Sequence, residues 1–80
     1  MLADHTGTRW AIGANQTIKL IRTRKAKIIY LANDADRQFK AKILDEVNKH
    51  GSIPIDNSFN ADELGAQCGI DVSCAVVAIY

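Results

Sequence analysis

Two uninterrupted apolar runs, Ile28-Ile29-Tyr30-Leu31-Ala32 and Cys74-Ala75-Val76-Val77-Ala78-Ile79, constrain the fold of this chain more than any other feature. A strand with one face in water alternates apolar and polar residues, and these runs do not alternate. Both are therefore expected as central strands covered by protein on each face. The sequence has 80 residues, which makes one small domain, 1–80, too short for two cores. Residues 1–9 are expected to form a poorly defined N-terminal segment, because Gly7 and two threonines make it a poor helix former.

Around the two runs the pattern alternates strand and helix. Trp10 to Ile12 reads as a short strand, 14–25 as a helix, Lys27 to Ala32 as a strand, and 36–50 as a helix closed by Gly51. Strand 53–56, helix Ala61 to Cys68 and strand Cys74 to Tyr80 follow. Pro54 cannot donate a ladder hydrogen bond and the 10–12 strand is very short, so both belong at sheet edges. Phe39, Ile43, Leu44 and Val47 are expected to lay the long helix on the sheet, and Leu64 with Cys68 to do so for the last helix, which Asn60 and Glu63 begin in capping-box spacing. The expected fold class is α/β, a three-layer α/β/α sandwich whose first three strands run parallel through right-handed crossovers.

The segment Gly13-Ala14-Asn15-Gln16-Thr17-Ile18-Lys19 carries the most chemistry. Ala14, Ile18 and Ile21 form an apolar stripe at i, i+4, i+7, while Asn15, Lys19 and Arg22 keep the same spacing one step around and point away from the core. Asn and Gln amides each pair a donor with an acceptor and can match two atoms of a base edge, so this turn can read an RNA groove. Lys19 and the helix N-terminus favour phosphate oxygens or carbonyl-rich base edges. The residues alone leave a second reading open, in which Asn15 starts the helix and Gln16 and Lys19 are a solvated face.

The formal net charge of +1 hides an uneven distribution. Residues 1–33 hold six Lys/Arg (Arg9, Lys19, Arg22, Arg24, Lys25, Lys27) against Asp4 alone, whereas residues 34–80 hold four against eight acids. A basic half is the footprint expected for a phosphate-backboned partner. No apolar run approaches a membrane span and residues 1–12 lack a signal-peptide core, so a cytoplasmic protein without a membrane partner is expected. Cys68 and Cys74 sit beside apolar residues and read as core thiols. His5 and His50 lie far from them and show no ligand spacing, so no metal and no cofactor is expected.

The order of several short motifs resembles the L-seven-Ae / L-thirty-e family of ribosomal and ribonucleoprotein proteins, which bind kink-turn RNA, and above all its small bacterial YbxF-like members. The matching residues are Gly13, Asn15, Gln16 and Lys19, then Ala32-Asn33-Asp34-Ala35-Asp36, then Leu64-Gly65-Ala66-Gln67-Cys68-Gly69, Ile70-Asp71-Val72-Ser73 and the closing apolar strand. Together they span about residues 10 to 80. The resemblance implies a four-stranded mixed sheet with the last strand antiparallel between the first and second. It implies a non-enzymatic monomer whose partner is kink-turn-containing RNA, ribosomal or riboswitch, and through it the ribosome. Asn15, Gln16 and Lys19 would meet the sheared G·A pairs, supported by backbone N–H groups near Gly13 and Ala14. Gln16 stands where many archaeal and eukaryotic relatives carry Glu. Asp36 would contact the flipped-out bulge nucleotide, and Ile70, Asp71 and Val72 would pack on the bulge, with Arg22, Arg24 and Lys25 as phosphate candidates. The N-terminus departs from the family, whose members carry a fuller helix ahead of the first strand.

Other readings of these residues stand beside that one. Asp34 and Asp36 can be capping acids of the helix they precede, Gly65 and Gly69 can serve close packing and a helix stop, and Ile70 and Val72 can anchor a loop. A small α/β metabolite-binding or enzymatic domain would use the 33–36 loop at the end of a central strand, although no histidine, nucleophile elbow or phosphate-binding loop lies nearby. A protein-only interaction module of the ribosome is a third class.

Overall fold

The computed structural model describes residues 9–51, 53–70 and 72–80. Its elements are β1 (Trp10–Ile12), α1 (Ala14–Arg22), β2 (Ile28–Leu31), α2 (Arg37–His50), β3 (Ile55–Asp56), α3 (Ala61–Gln67) and β4 (Val76–Ile79). The strands form one sheet in the order β1-β4-β2-β3. β4 is antiparallel to both neighbours, in register Trp10↔Ile79 with β1 and Ile28↔Ile79 with β2, while β2 and β3 are parallel. The α/β fold, the two central strands and the two edge strands are as expected, and β1, β2 and β3 point the same way.

Alternate residues of the central strands face opposite layers. Ile29, Leu31, Val76 and Ala78 pack with Ile18, Leu20 and Ile21 of α1 and Ile43 and Val47 of α2, whereas Tyr30, Val77 and Ile79 pack with Leu64 of α3. This gives the three layers, α1 and α2 on one face and α3 on the other. Two expectations about the helices are corrected. Leu44 is not buried with the face of α2 that meets the sheet; one step around the helix from Ile43, it is 43% exposed and lines a pocket beside Leu31 and Ile55. The buried arc of α1 is wider than the stripe read from the sequence, since Thr17 and Leu20 are buried with Ile18 and Ile21, because α1 meets the sheet on one side and α2 on the other.

Helix α1 also ends three residues earlier than expected. Thr23 is its C-cap, and the N–H groups of Arg24 and Lys25 turn back to the carbonyls of Ile21 and Leu20 at 3.1 and 2.9 Å. That is a Schellman ending, and it puts Arg24 at φ 59 in the left-handed region, where a residue with a Cβ bears about 1–2 kcal/mol of strain. Helix α3 ends the same way with Gly69 at φ 74, which carries no such strain. The expectation for the N-terminal segment falls on residues that, Arg9 aside, lie outside those described.

Candidate nucleic-acid interface

The site is built where the C-terminal ends of β1 and β2 meet the start of β4. Gly13 leaves β1 with φ 105 and donates its N–H to Val76 O at 3.0 Å. Ala32 donates to Ala75 O at 2.8 Å and Cys74 to Ala61 O at 3.0 Å. The loop after β1, the loop after β2 and the loop before β4 therefore converge at one end of the sheet.

The N-terminus of α1 differs from the other two. Asp36 caps α2, accepting from Gln38 N and Phe39 N at 3.0 and 3.3 Å. Asn60 and Glu63 cap α3 in a complete capping box, each side chain accepting from the other's backbone N–H at 2.8 and 3.0 Å. The N-cap of α1 is Gly13, which offers no side chain, and the first turn of α1 holds no acid. Its first N–H groups are left for an external acceptor, and the positive helix end adds to their pull. A Cβ built at Gly13 would meet nothing within 4 Å, so the backbone there faces open space.

Asn15, Gln16 and Lys19 are all exposed on the outward side of this turn. Asn15 is the second residue of the helix and not its cap, which removes the capping reading of that side chain. Among the described residues the side chains of Asn15, Gln16 and Lys19 have no hydrogen-bond or ion-pair partner. Ala14 lies below them, half-buried against the core.

The remaining sequence-derived candidates divide. Asp36 is exposed and occupied as the cap of α2 through one carboxylate oxygen, and Asp34 accepts from Ala61 N at 2.8 Å, tying the 33–36 loop to the start of α3. Ile70 is partly buried against the α3-side cluster and anchors its loop, whereas Val72 is 68% exposed beside it. Asp71 lies outside the described residues. Gly65 is a packing glycine in a strict sense: a Cβ there would stand 2.2 Å from Val72 O, so the 72–73 backbone lies directly on α3.

Arg22 has a partner that the sequence did not signal. Its Nε and one terminal nitrogen donate to the two carboxylate oxygens of Glu46 on α2 at 3.2 and 2.8 Å, and the Glu46 side chain is only 9% exposed. This bonding by Arg22 holds the Glu46 carboxyl below the ordinary glutamate range against the opposing effect of burial. Arg22 is thus first a clamp between α1 and α2. Its side chain keeps 59% exposure, and the other donors of its guanidinium remain open. The two residues are 24 apart in sequence, which is why no local pattern announced the pair.

The thiols belong to the core beneath this end of the sheet. Cys74 is buried and donates to Val76 O at 3.2 Å, and Cys68 packs against the same cluster. Burial pushes the Cys68 thiol up to about 11 and raises that of Cys74, so both are held in the unreactive protonated form at neutral pH.

The molecule is thus an α/β/α sandwich with one helix end that no side chain caps and two exposed amides beside it. The chain belongs to the Ribosomal protein L7Ae/L30e/S12e/Gadd45 family, which it matches over residues 2–80. It is 34% identical over 77 residues to an RNA-binding protein of Caldanaerobacter subterraneus subsp. tengcongensis, covering 96% of this chain and 93% of that one. It is 32% identical over 68 residues to the RNA-binding protein YbxF of Geobacillus stearothermophilus, covering 85% and 82%. Among solved structures, a Giardia lamblia 15.5kD RNA binding protein superposes with a TM-score of 0.77 at 25% identity, over 88% of this chain and 58% of that one. A protein of unknown function from Bacillus halodurans C superposes with a TM-score of 0.79 at 24% identity, over 88% and 69%, and shares the fold.

Proposed function

We propose that this chain binds RNA and that it recognises the kink-turn, a duplex sharply bent at a bulge flanked by sheared G·A pairs. The observation that carries the proposal is the uncapped start of α1 with Asn15, Gln16 and Lys19 free beside it, in a chain whose relatives are named RNA-binding proteins. Bent and bulged RNA exposes base edges that a regular duplex hides in its deep major groove. The Asn15 and Gln16 amides meet the G·A edges, Lys19 and the backbone near Gly13 and Ala14 meet phosphate or carbonyl oxygens, and Ile70, Asp71 and Val72 supply the loop that packs on the bulge. Asp36 offers its free carboxylate oxygen to the extruded nucleotide while the other caps α2. The protein acts as a cytoplasmic monomer on ribosomal RNA or a riboswitch, and in the first case on the ribosome.

A gel shift with a kink-turn duplex, and with a control whose G·A pairs are replaced by Watson–Crick pairs, tests the reading. The wild type should prefer the kink-turn, and Asn15→Ala should lose roughly 1–3 kcal/mol of that preference while binding the control as before. Because Gly13 and not Asn15 caps α1, the variant should melt with the wild type. Equal affinity of the wild type for the two RNAs would remove the kink-turn assignment.

A further inference from the structure

Four cations gather at the end of the sheet opposite Gly13. The N-terminal end of β1, the C-terminal end of α1 and the start of β2 meet the last residues of β4 there. Arg9 exchanges both backbone hydrogen bonds with Tyr80 at 2.9 and 2.8 Å, and Lys27 donates its N–H to Ile79 O at 2.6 Å. The Schellman turn that closes α1 sets Arg24 and Lys25 next to them. All four side chains are exposed. Among the described residues none of them makes an ion pair. The acids closest to this end on α2 are already matched, Glu46 by Arg22 and Asp45 by Lys49 at 3.1 Å. A cation also stands at φ 59 in the turn, where a glycine would relieve the backbone.

The reading end has the opposite balance. Asp34, Asp36, Asp56 and Glu63 line its loops, each accepting from a backbone N–H. Helix α1 is nine residues long, so about 13 Å of helix separates the two ends. That exceeds the Debye length of about 8 Å at physiological salt, so attraction between these cations and a phosphate held at Gly13 is largely screened. The cations need a contact of their own.

We propose that Arg9, Arg24, Lys25 and Lys27 form a second RNA-binding surface, which holds the phosphate backbone of a further duplex segment without reading its bases. A protein partner fits the patch less well. Specific protein interfaces have an apolar centre, and among the described residues the large exposed apolar side chains, Ile12, Leu44 and Val72, all lie elsewhere, while Trp10, Ile28 and Tyr80 beside the patch are partly buried. A set of Lys and Arg side chains that, among the described residues, has neither ion-pair partners nor an exposed apolar centre matches binding by counterion release. The inference is independent of kink-turn recognition, and its test uses an RNA without one.

The probe is a fluorescein-labelled Watson–Crick RNA duplex of about 20 base pairs, followed by anisotropy from about 50 to 200 mM salt. Lys25→Gln/Lys27→Gln should weaken binding by roughly tenfold at low salt and lower the log–log salt slope by about two, and adding Arg9→Gln and Arg24→Gln should remove most of the remainder. Arg37→Gln/Lys42→Gln deletes the same charge from exposed sites on α2, and should leave affinity within about twofold. Equal losses from the two double variants would overturn the proposal in favour of net charge. Competition by polyglutamate as effective as by unlabelled duplex at equal charge would overturn RNA as the occupant.

Discussion

Thr17 is fully buried with its hydroxyl unpartnered, directly after the exposed amides of Asn15 and Gln16 in the chain. A desolvated hydroxyl without a hydrogen bond costs about 1–3 kcal/mol, and replacing it by a methyl of the same shape returns part of that. Thr17→Val should therefore stabilise the protein by about 1 kcal/mol and raise the melting midpoint by roughly 4–8 °C. A lower midpoint would mean that the hydroxyl is bonded in solution, with the Gly13 carbonyl four residues back as the natural acceptor. At this scale the site was half legible. Asn15 and Lys19 fall on the outward stripe as their spacing required, with Gln16 exposed beside them, whereas Arg22 of the same stripe turns onto Glu46; Gly and Asn are both good N-caps. Only the positive φ of Gly13 decides which of them starts the helix and frees the other.

At the scale of elements, the loop before β4 is held in place by α3, and two glycines separate position from flexibility. At Gly65 an added methyl must displace the 72–73 backbone; at Gly69 it meets nothing but faces the strain of φ 74. Gly65→Ala should move the loop and weaken RNA binding by roughly tenfold, about 1.4 kcal/mol. Gly69→Ala should lower stability by about 1–2 kcal/mol with affinity retained. Equal binding losses in the two variants, measured beside their melting curves, would show that the loop's position does not matter to RNA.

The clamp between α1 and α2 gives a pH signature. Glu46 has a lowered folded-state pKa, so its ion pair adds stability above the ordinary glutamate range near 4.3 and loses it as pH falls through the depressed value. Arg22→Gln should melt below the wild type at neutral pH, and the two melting curves should converge as Glu46 becomes protonated in both. A deficit that persists unchanged to about pH 3 would assign Arg22 a packing role instead.

The sheet was legible in the chain because the two apolar runs and Pro54 mark centre and edge without long-range information. The antiparallel course of β4 between β1 and β2 came from the family resemblance, since no residue in 74–80 specifies direction. Other features depended on what each element packs against. Leu44 and Ile43 are adjacent in sequence, and only the docking angle of α2 exposes one and buries the other. Arg24 ends α1 without the glycine or proline that would have announced a stop, and that stop carries half of the basic tract to the far end of the molecule from Gly13. The separation of the cations from the groove-reading turn was invisible for the same reason.

The strand order also governs how the chain comes off the ribosome. β4 is the last of the four described strands in the chain and the one that pairs with both β1 and β2, so β1 and β2 emerge before the strand that joins them. Every strand pairing joins residues distant in sequence, and such non-local pairing slows folding relative to local contacts. The arrival of Val76 to Ile79 outside the ribosome is then what allows the sheet to close, and until then the exposed apolar segments depend on whatever shields them from association.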